Sequence, residues 1–172
     1  MLIKRLFNKI VTIQKTKTNT AKIEFRSKAI FLFLTQVCGI KESPKQNVHI
    51  PLIIIKSSSE IKKSFLRGIA DTDFSITFKK EGKYPVLDHQ TPDKILHTDL
   101  KDILLQFGFR VSSGFRNQVR NNKILDSYYI QISGREMLSK WINEIGFSSY
   151  NHIKRYNLWK ESHPEVNRKL YK

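Results

Sequence analysis

The segment Ser64-Phe65-Leu66-Arg67-Gly68-Ile69-Ala70-Asp71-Thr72-Asp73-Phe74-Ser75 constrains the fold of this chain more than any other stretch. Ser57 and Glu60 stand as Ser-x-x-Glu just before an apolar run, the spacing of a capping box, so a helix is predicted to begin near Ser58. Ser64, Gly68 and Thr72 fall four apart, which puts small side chains on one stripe and lets two helix backbones approach closely. Phe65, Leu66 and Ile69 flank that stripe and are expected to anchor the helix in a core. The helix runs out on Asp71 and Asp73, at the end whose partial charge is already negative. If a second copy packs against the small stripe, the acidic ends meet, and a divalent cation would relieve their repulsion. A solvated turn is the plainer alternative for an isolated Asp-x-Asp.

Read as a whole, Leu66 to Phe74 (LRGIADTDF) resembles the LAGLIDADG motif of homing endonucleases. The likeness rests on Leu66, on Gly68, on the apolar pair Ile69-Ala70, and on Asp71-Thr72-Asp73 in place of Asp-Ala-Asp. Similar flanks precede it (an Ile-Pro pair and Ser-Ser-x-Glu), and the alternating Ser75-Ile76-Thr77-Phe78 follows it. One departure stands out: the last motif position, usually Gly, is Phe74.

The resemblance implies an α+β fold of order αββαββα with a saddle-shaped antiparallel sheet. It also implies an intron- or intein-type, site-specific endonuclease that hydrolyses double-stranded DNA with Mg²⁺. A single-motif chain of this family is expected to form a homodimer through Ser64, Gly68 and Thr72. Asp73, the second Asp of the motif, takes the metal-binding role, with the backbone carbonyl of Phe74 near the metal, and Asp71 has the more structural role at the helix end. The family also uses a polar residue after the second strand, for which Gln90 or Asp88 stands here. It uses a Lys near the start of the terminal helix, where this chain reads Asn151-His152-Ile153-Lys154 and nominates Lys154. Lys45 is a further candidate.

Composition agrees with a polyanionic partner. Against 31 Lys plus Arg there are only 15 acids, a net charge of +16 on 172 residues. Lys-rich coding bias would account for abundant Lys but not for scarce acids, so nucleic acid is favoured. Apolar content of 40% is enough for a core. The single Cys38 excludes an internal disulfide and is expected as a buried small hydrophobe. The longest apolar patch, Ala29 to Leu34, is far too short to span a membrane. The expected location is intracellular, in the cytoplasm or nucleoid. An organelle is the alternative if the basic, acid-free N-terminus with its Leu2, Ile3, Leu6, Phe7 and Ile10 stripe is a transit peptide; a DNA-contacting arm or a short core element is the other reading.

Hydropathy periodicity divides the rest. Residues 22–26 read as a strand, Ser27 to Cys38 as a helix closed by Gly39, and Val48 to Ile55 as extended. After the motif helix come a hairpin (Phe74–Lys79 and Tyr84–His89), a helix from Pro92-Asp93 to Gly108, and a second hairpin (Phe109–Gln118 and Ser127–Ser133). A helix from Arg135 to Ile145 and a last one from His152 to Ser162 complete the chain. Ile23–Ile40 aligns without a gap onto Ile130–Phe147, which raises a half-domain whose motif helix is absent. The divisions drawn are a basic arm at 1–22, a β-α appendage at 23–56 and a core domain at 57–172.

Sequence readout is expected from the polar face of the sheet. Alternation nominates Ser75, Thr77 and Lys79, then Ser112, Arg116, Gln118 and Arg120, then Tyr129, Gln131 and Ser133. Loop residues Lys80, Lys83 and Lys123 are expected on phosphates. Two rivals keep the fold: an RNA maturase or DNA-binding regulator that does not cut, and one half of a split two-motif enzyme.

Overall fold

The computed structural model describes residues 2–15, 20–42, 47–79, 81, 83–120 and 123–163. It separates into two units, residues 1–42 and 43–172. The boundary falls inside the 23–56 appendage expected from sequence.

In the first unit, α1 (Leu2–Phe7) precedes an antiparallel pair, β1 (Ile13–Lys15) and β2 (Ala21–Ile23), in which Ile13 faces Ile23. Ser27 then caps α2 (Lys28–Leu32), its hydroxyl accepting from the Ile30 N–H. The expected helix does not continue as a regular one: Phe33–Val37 is a π-helical turn, closed by Cys38 N–H donating to Phe33 O at 2.9 Å. Cys38 is half-buried rather than buried.

The second unit starts with Ile50, which is 1% exposed and belongs to the main core. Pro51 then ends the extended run expected over Val48–Ile55, because it has no N–H to lose at a helix start. Its carbonyl accepts from Ile54 and Ile55, and α3 (Leu52–Ile55) is a single helical turn. That turn uses Ser57, whose hydroxyl donates to Ile54 O at 2.7 Å. The capping box therefore does not form: the N-cap of α4 (Ser59–Asp73) is Ser58, and no side chain caps it.

From α4 the order is β3 (Phe74–Lys79), β4 (Tyr84–Thr91), α5 (Lys94–Gln106), β5 (Val111–Arg120), β6 (Lys123–Ser133), α6 (Arg135–Glu144) and α7 (Tyr150–Ser162). The four strands form one antiparallel sheet, in the order β3-β4-β6-β5. The class is α+β.

Strand alternation gives the sheet two unlike faces. Phe74, Ile76, Leu87, Ile130 and Ile132 point into a core shared with Leu66 and Ala70 of α4, Leu100, Ile103 and Leu104 of α5, and Met137, Leu138 and Trp141 of α6. Phe74 takes part in it. Its ring lies 5.6 Å from Trp141 and 5.1 Å from His89, and its backbone (φ −88°, ψ 147°) is ordinary extended chain. Phe74 thus needs no left-handed backbone and serves as a core anchor.

The internal similarity has a local structural counterpart. Ser27 and Gly134 are both N-caps, Lys28 and Arg135 both open helices, and Gly39 (φ 70°) and Gly146 (φ 73°) both turn left-handed afterwards. All three pairs are aligned in the same ungapped register.

Candidate functional site

Asp71 and Asp73 end α4 in different surroundings. The Asp71 carboxylate accepts from the backbone N–H of Ser148 at 3.0 Å and of Ser149 at 2.9 Å, just ahead of α7. One turn earlier, Arg67 Nε donates to Ile145 O at 2.6 Å. Together they fasten the motif helix to both sides of the Gly146 turn. The Asp73 carboxylate is exposed and accepts only from the neighbouring Thr72 hydroxyl among the bonds formed by described residues. No group of three His, Cys, Asp or Glu side chains is gathered for a metal among the described residues.

The register of the first hairpin brings Gln90 up to the acidic end. Phe74, the residue after Asp73, pairs with His89, the residue before Gln90, so the end of α4 and Gln90 lie at the same end of the β3–β4 pair. Gln90 Nε2 donates to Asp88 Oδ2 at 3.0 Å, and Gln131 Nε2 donates to Asp88 Oδ1 at 2.7 Å. Asp88 thereby holds the amides of two glutamines from neighbouring strands, a coupling that the sequence could show only once β4 and β6 were known to be adjacent.

The Phe74 carbonyl, nominated to lie near a metal, has a partner on the other side. His152 Nε2 donates to it at 3.0 Å, and Arg155 Nη1 donates to Ile76 O at 3.3 Å. β3 is an edge strand, and these two side chains of α7 occupy its outward carbonyls, where a foreign strand would otherwise pair. Between them runs a groove of about 560 Å³ lined by Phe74, Ser75, Asn151, His152, Lys154, Arg155 and Leu158. Lys154 is thus beside Ser75, with its side chain exposed. Lys45 and Lys80 lie outside the described residues.

His89 of β4 and His97 of α5 are buried, 3% and 8% exposed. Their Nδ1 atoms have no partner among the described residues. Burial depresses the pKa of both. For His89 the opposing pull of Asp73 and Asp88 does not outweigh burial and the nearby His97, and for His97 the Lys101 charge acts with burial.

The polar face gathers most of the nominated readout residues. Paired positions put Ser75, Thr77 and Lys79 of β3, Asp88 and Gln90 of β4, Tyr129, Gln131 and Ser133 of β6, and Ser112 and Arg116 of β5 on one side of the sheet. Gln118 and Arg120 continue the same alternation along β5, and their side chains, like that of Lys123, lie outside the described residues. Among these residues the Arg116 guanidinium lies over the Tyr129 ring, 4.0 Å from its centroid.

The third element is the outer face of α4. Ser64, Gly68 and Thr72 are all exposed, and Ile61, one turn earlier, joins them at 50% exposure. The Ser64 hydroxyl donates to Glu60 O, and the single Thr72 hydroxyl proton is shared among Gly68 O, Ile69 O and Asp73 Oδ2, so the stripe carries little unsatisfied polarity. A Cβ at Gly68 would meet nothing within 4 Å. Nothing among the described residues therefore requires the glycine.

No family model matches the chain. It is similar to the replicative DNA helicase DnaB of Rhodothermus marinus, 28% identical over 111 residues, which are 64% of this chain and 11% of that protein. It is likewise similar to the replication factor C small subunit of Methanocaldococcus jannaschii, 28% identical over 151 residues, 87% of this chain and 8% of that protein. The chain thus spans about a tenth of the length of the curated relatives it matches. No helix among the described residues is long and apolar enough to cross a membrane.

Proposed function

We propose that the chain is a site-specific DNA endonuclease of the LAGLIDADG type that works as a homodimer. The observation that carries this reading is the meeting of a carboxylate without strong internal partners, Asp73, with one end of a polar sheet face bearing Arg116, Gln131, Gln90 and Lys79. A two-stranded ribbon fits the major groove, where Arg and Gln pair with base edges. The net charge of +16 supplies the sequence-independent attraction.

The donor set fits Mg²⁺ only when shared. A single carboxylate, Asp73, at the end of α4 is too little for an all-protein cage, but Mg²⁺ takes one or two carboxylates together with phosphate oxygens and water. Asp73 from each of two copies, joined across α4, would hold it. When bound, the ion lowers the pKa of a water and stabilises charge on the phosphate. Asp71, meanwhile, fixes the end of α4 against the start of α7, and Lys154 sits where it would bind a phosphate passing the β3 edge. Dimerisation through α4 supplies the reason for Gly68 that a single chain lacks.

The two relatives carry different names, and the matched stretch is 11% of one and 8% of the other. A segment shared on those terms reads as a module set within larger proteins, in keeping with an intein-type endonuclease. The aligned register of the two β-α-Gly units favours a second reading, that the chain supplies one half of a two-motif enzyme. Incubating the purified protein with a supercoiled AT-rich plasmid library, with Mg²⁺ and with EDTA, tests the proposal. Discrete Mg²⁺-dependent linear products are expected. Binding without cutting would favour the maturase or regulator. Cutting only after a partner chain is added would favour the half-enzyme.

A further inference from the structure

Gly114 sits on β5, an edge strand, directly opposite Tyr129 of β6. A Cβ built at Gly114 would lie 2.9 Å from Tyr129 Cε1, 3.0 Å from its hydroxyl and 3.1 Å from Cζ. Real Cβ atoms do not tolerate that closeness, so any other residue would push the far end of the tyrosine away. The glycine therefore forms a notch in which the phenol ring lies across the strand. Arg116, two residues along β5 on the same face, then places its guanidinium over that ring, 4.0 Å from the centroid. No carboxylate pairs with Arg116 among the described residues; the nearby Asp126 instead accepts from Asn117 Nδ2 at 2.8 Å on the opposite face.

We infer that Gly114 is a positioning residue for base recognition, holding Arg116 through Tyr129 so that its guanidinium edge is set to read a guanine. The inference rests on the DNA-reading face proposed above. A guanidinium stacked on an aromatic face loses little further freedom on binding, and its in-plane N–H groups match the O6 and N7 acceptors of guanine. An aromatic ring laid over an edge glycine is also a way of stabilising a sheet. That simpler role would alter melting temperature but not base preference, which separates the two.

The test is site selection from a randomised duplex pool by the full chain, comparing wild type with Gly114→Ala, Tyr129→Ala, Tyr129→Phe and Arg116→Ala. Melting curves confirm that each variant is folded. The expected outcome is that Gly114→Ala, Tyr129→Ala and Arg116→Ala lose the same guanine preference, by about 5- to 100-fold, the discrimination of one good bidentate contact. Tyr129→Phe, which keeps the ring in the notch, should retain it. Wild-type preference in Gly114→Ala, beside its loss in Arg116→Ala, would overturn this inference alone. If Arg116→Ala selects the same sites as wild type, the reading face fails and the inference with it.

Discussion

Asp71 accepts backbone hydrogen bonds from Ser148 and Ser149, whereas among the described residues Asp73 has only the Thr72 hydroxyl. Asp71→Asn should accordingly lower stability by about 1.5–3 kcal/mol, the range for hydrogen bonds to a charged group, as measured by urea denaturation. A variant as stable as wild type would show that those contacts contribute nothing. Other carboxylates and imidazoles set the response to acid. At Asp93 burial acts to raise the pKa, but the N–H groups of Val48, Leu96, Ile95 and Asn47 outweigh it and hold the pKa below the ordinary 3.8. Burial likewise holds His89 and His97 below the ordinary 6.5. In each case the unfolded chain takes up its proton first as pH falls, so stability is full above the unfolded value and declines below it. The melting temperature should drop from about pH 6.5 downward through the histidines, and further near pH 4 through Asp93. His89→Leu should lessen the upper part of that decline. A melting temperature that rises on acidification would contradict the assignment.

The motif helix offers the sharpest prediction about an element. Glycine inside a helix costs about 1 kcal/mol relative to alanine, and no contact among the described residues offsets that at Gly68. Gly68→Ala should therefore stabilise the separated monomer slightly while weakening the dimer at least tenfold, read by sedimentation equilibrium in the analytical ultracentrifuge. Equal dimerisation by both proteins would remove α4 as the interface. This helix was largely legible in the sequence because its small stripe, its apolar flank and its acidic end fall at helical spacing. The alternation of β3 to β6 and the glycines after α5 and α6 were legible for the same reason. Other features depend on neighbours that a local pattern does not reveal. Ser57 was expected to cap α4, but the turn at Leu52–Ile55 claims its hydroxyl first. Ile61 extends the α4 stripe only because no other element covers it. Asp88 holds two glutamines only because β4 lies beside β6, and the Gly114 notch exists only because β5 pairs with β6 in one register.

At the scale of the molecule, 31 Lys plus Arg stand against 15 acids, a net charge of +16. Non-specific DNA affinity should fall steeply with salt, by about 10³-fold or more between 50 and 200 mM if six or more phosphates are neutralised. Lys83→Ala should weaken binding to all sequences alike and flatten that slope, whereas Arg116→Ala should relax preference for particular bases; equal effects on every sequence would contradict a readout role for Arg116. The small share of the relatives that is matched, 11% and 8%, ties the chain to larger DNA-replication proteins without assigning it their activities. The division of labour between the charged surface and the acidic helix end comes down to Asp73. The decisive measurement is cleavage of a selected target by Asp73→Asn in Mg²⁺, beside its affinity for the same duplex in EDTA. Binding within about threefold of wild type, with cleavage lost by three orders of magnitude or more, is the expected result for a shared-carboxylate metal site. Cleavage at the wild-type rate would place the chemistry elsewhere.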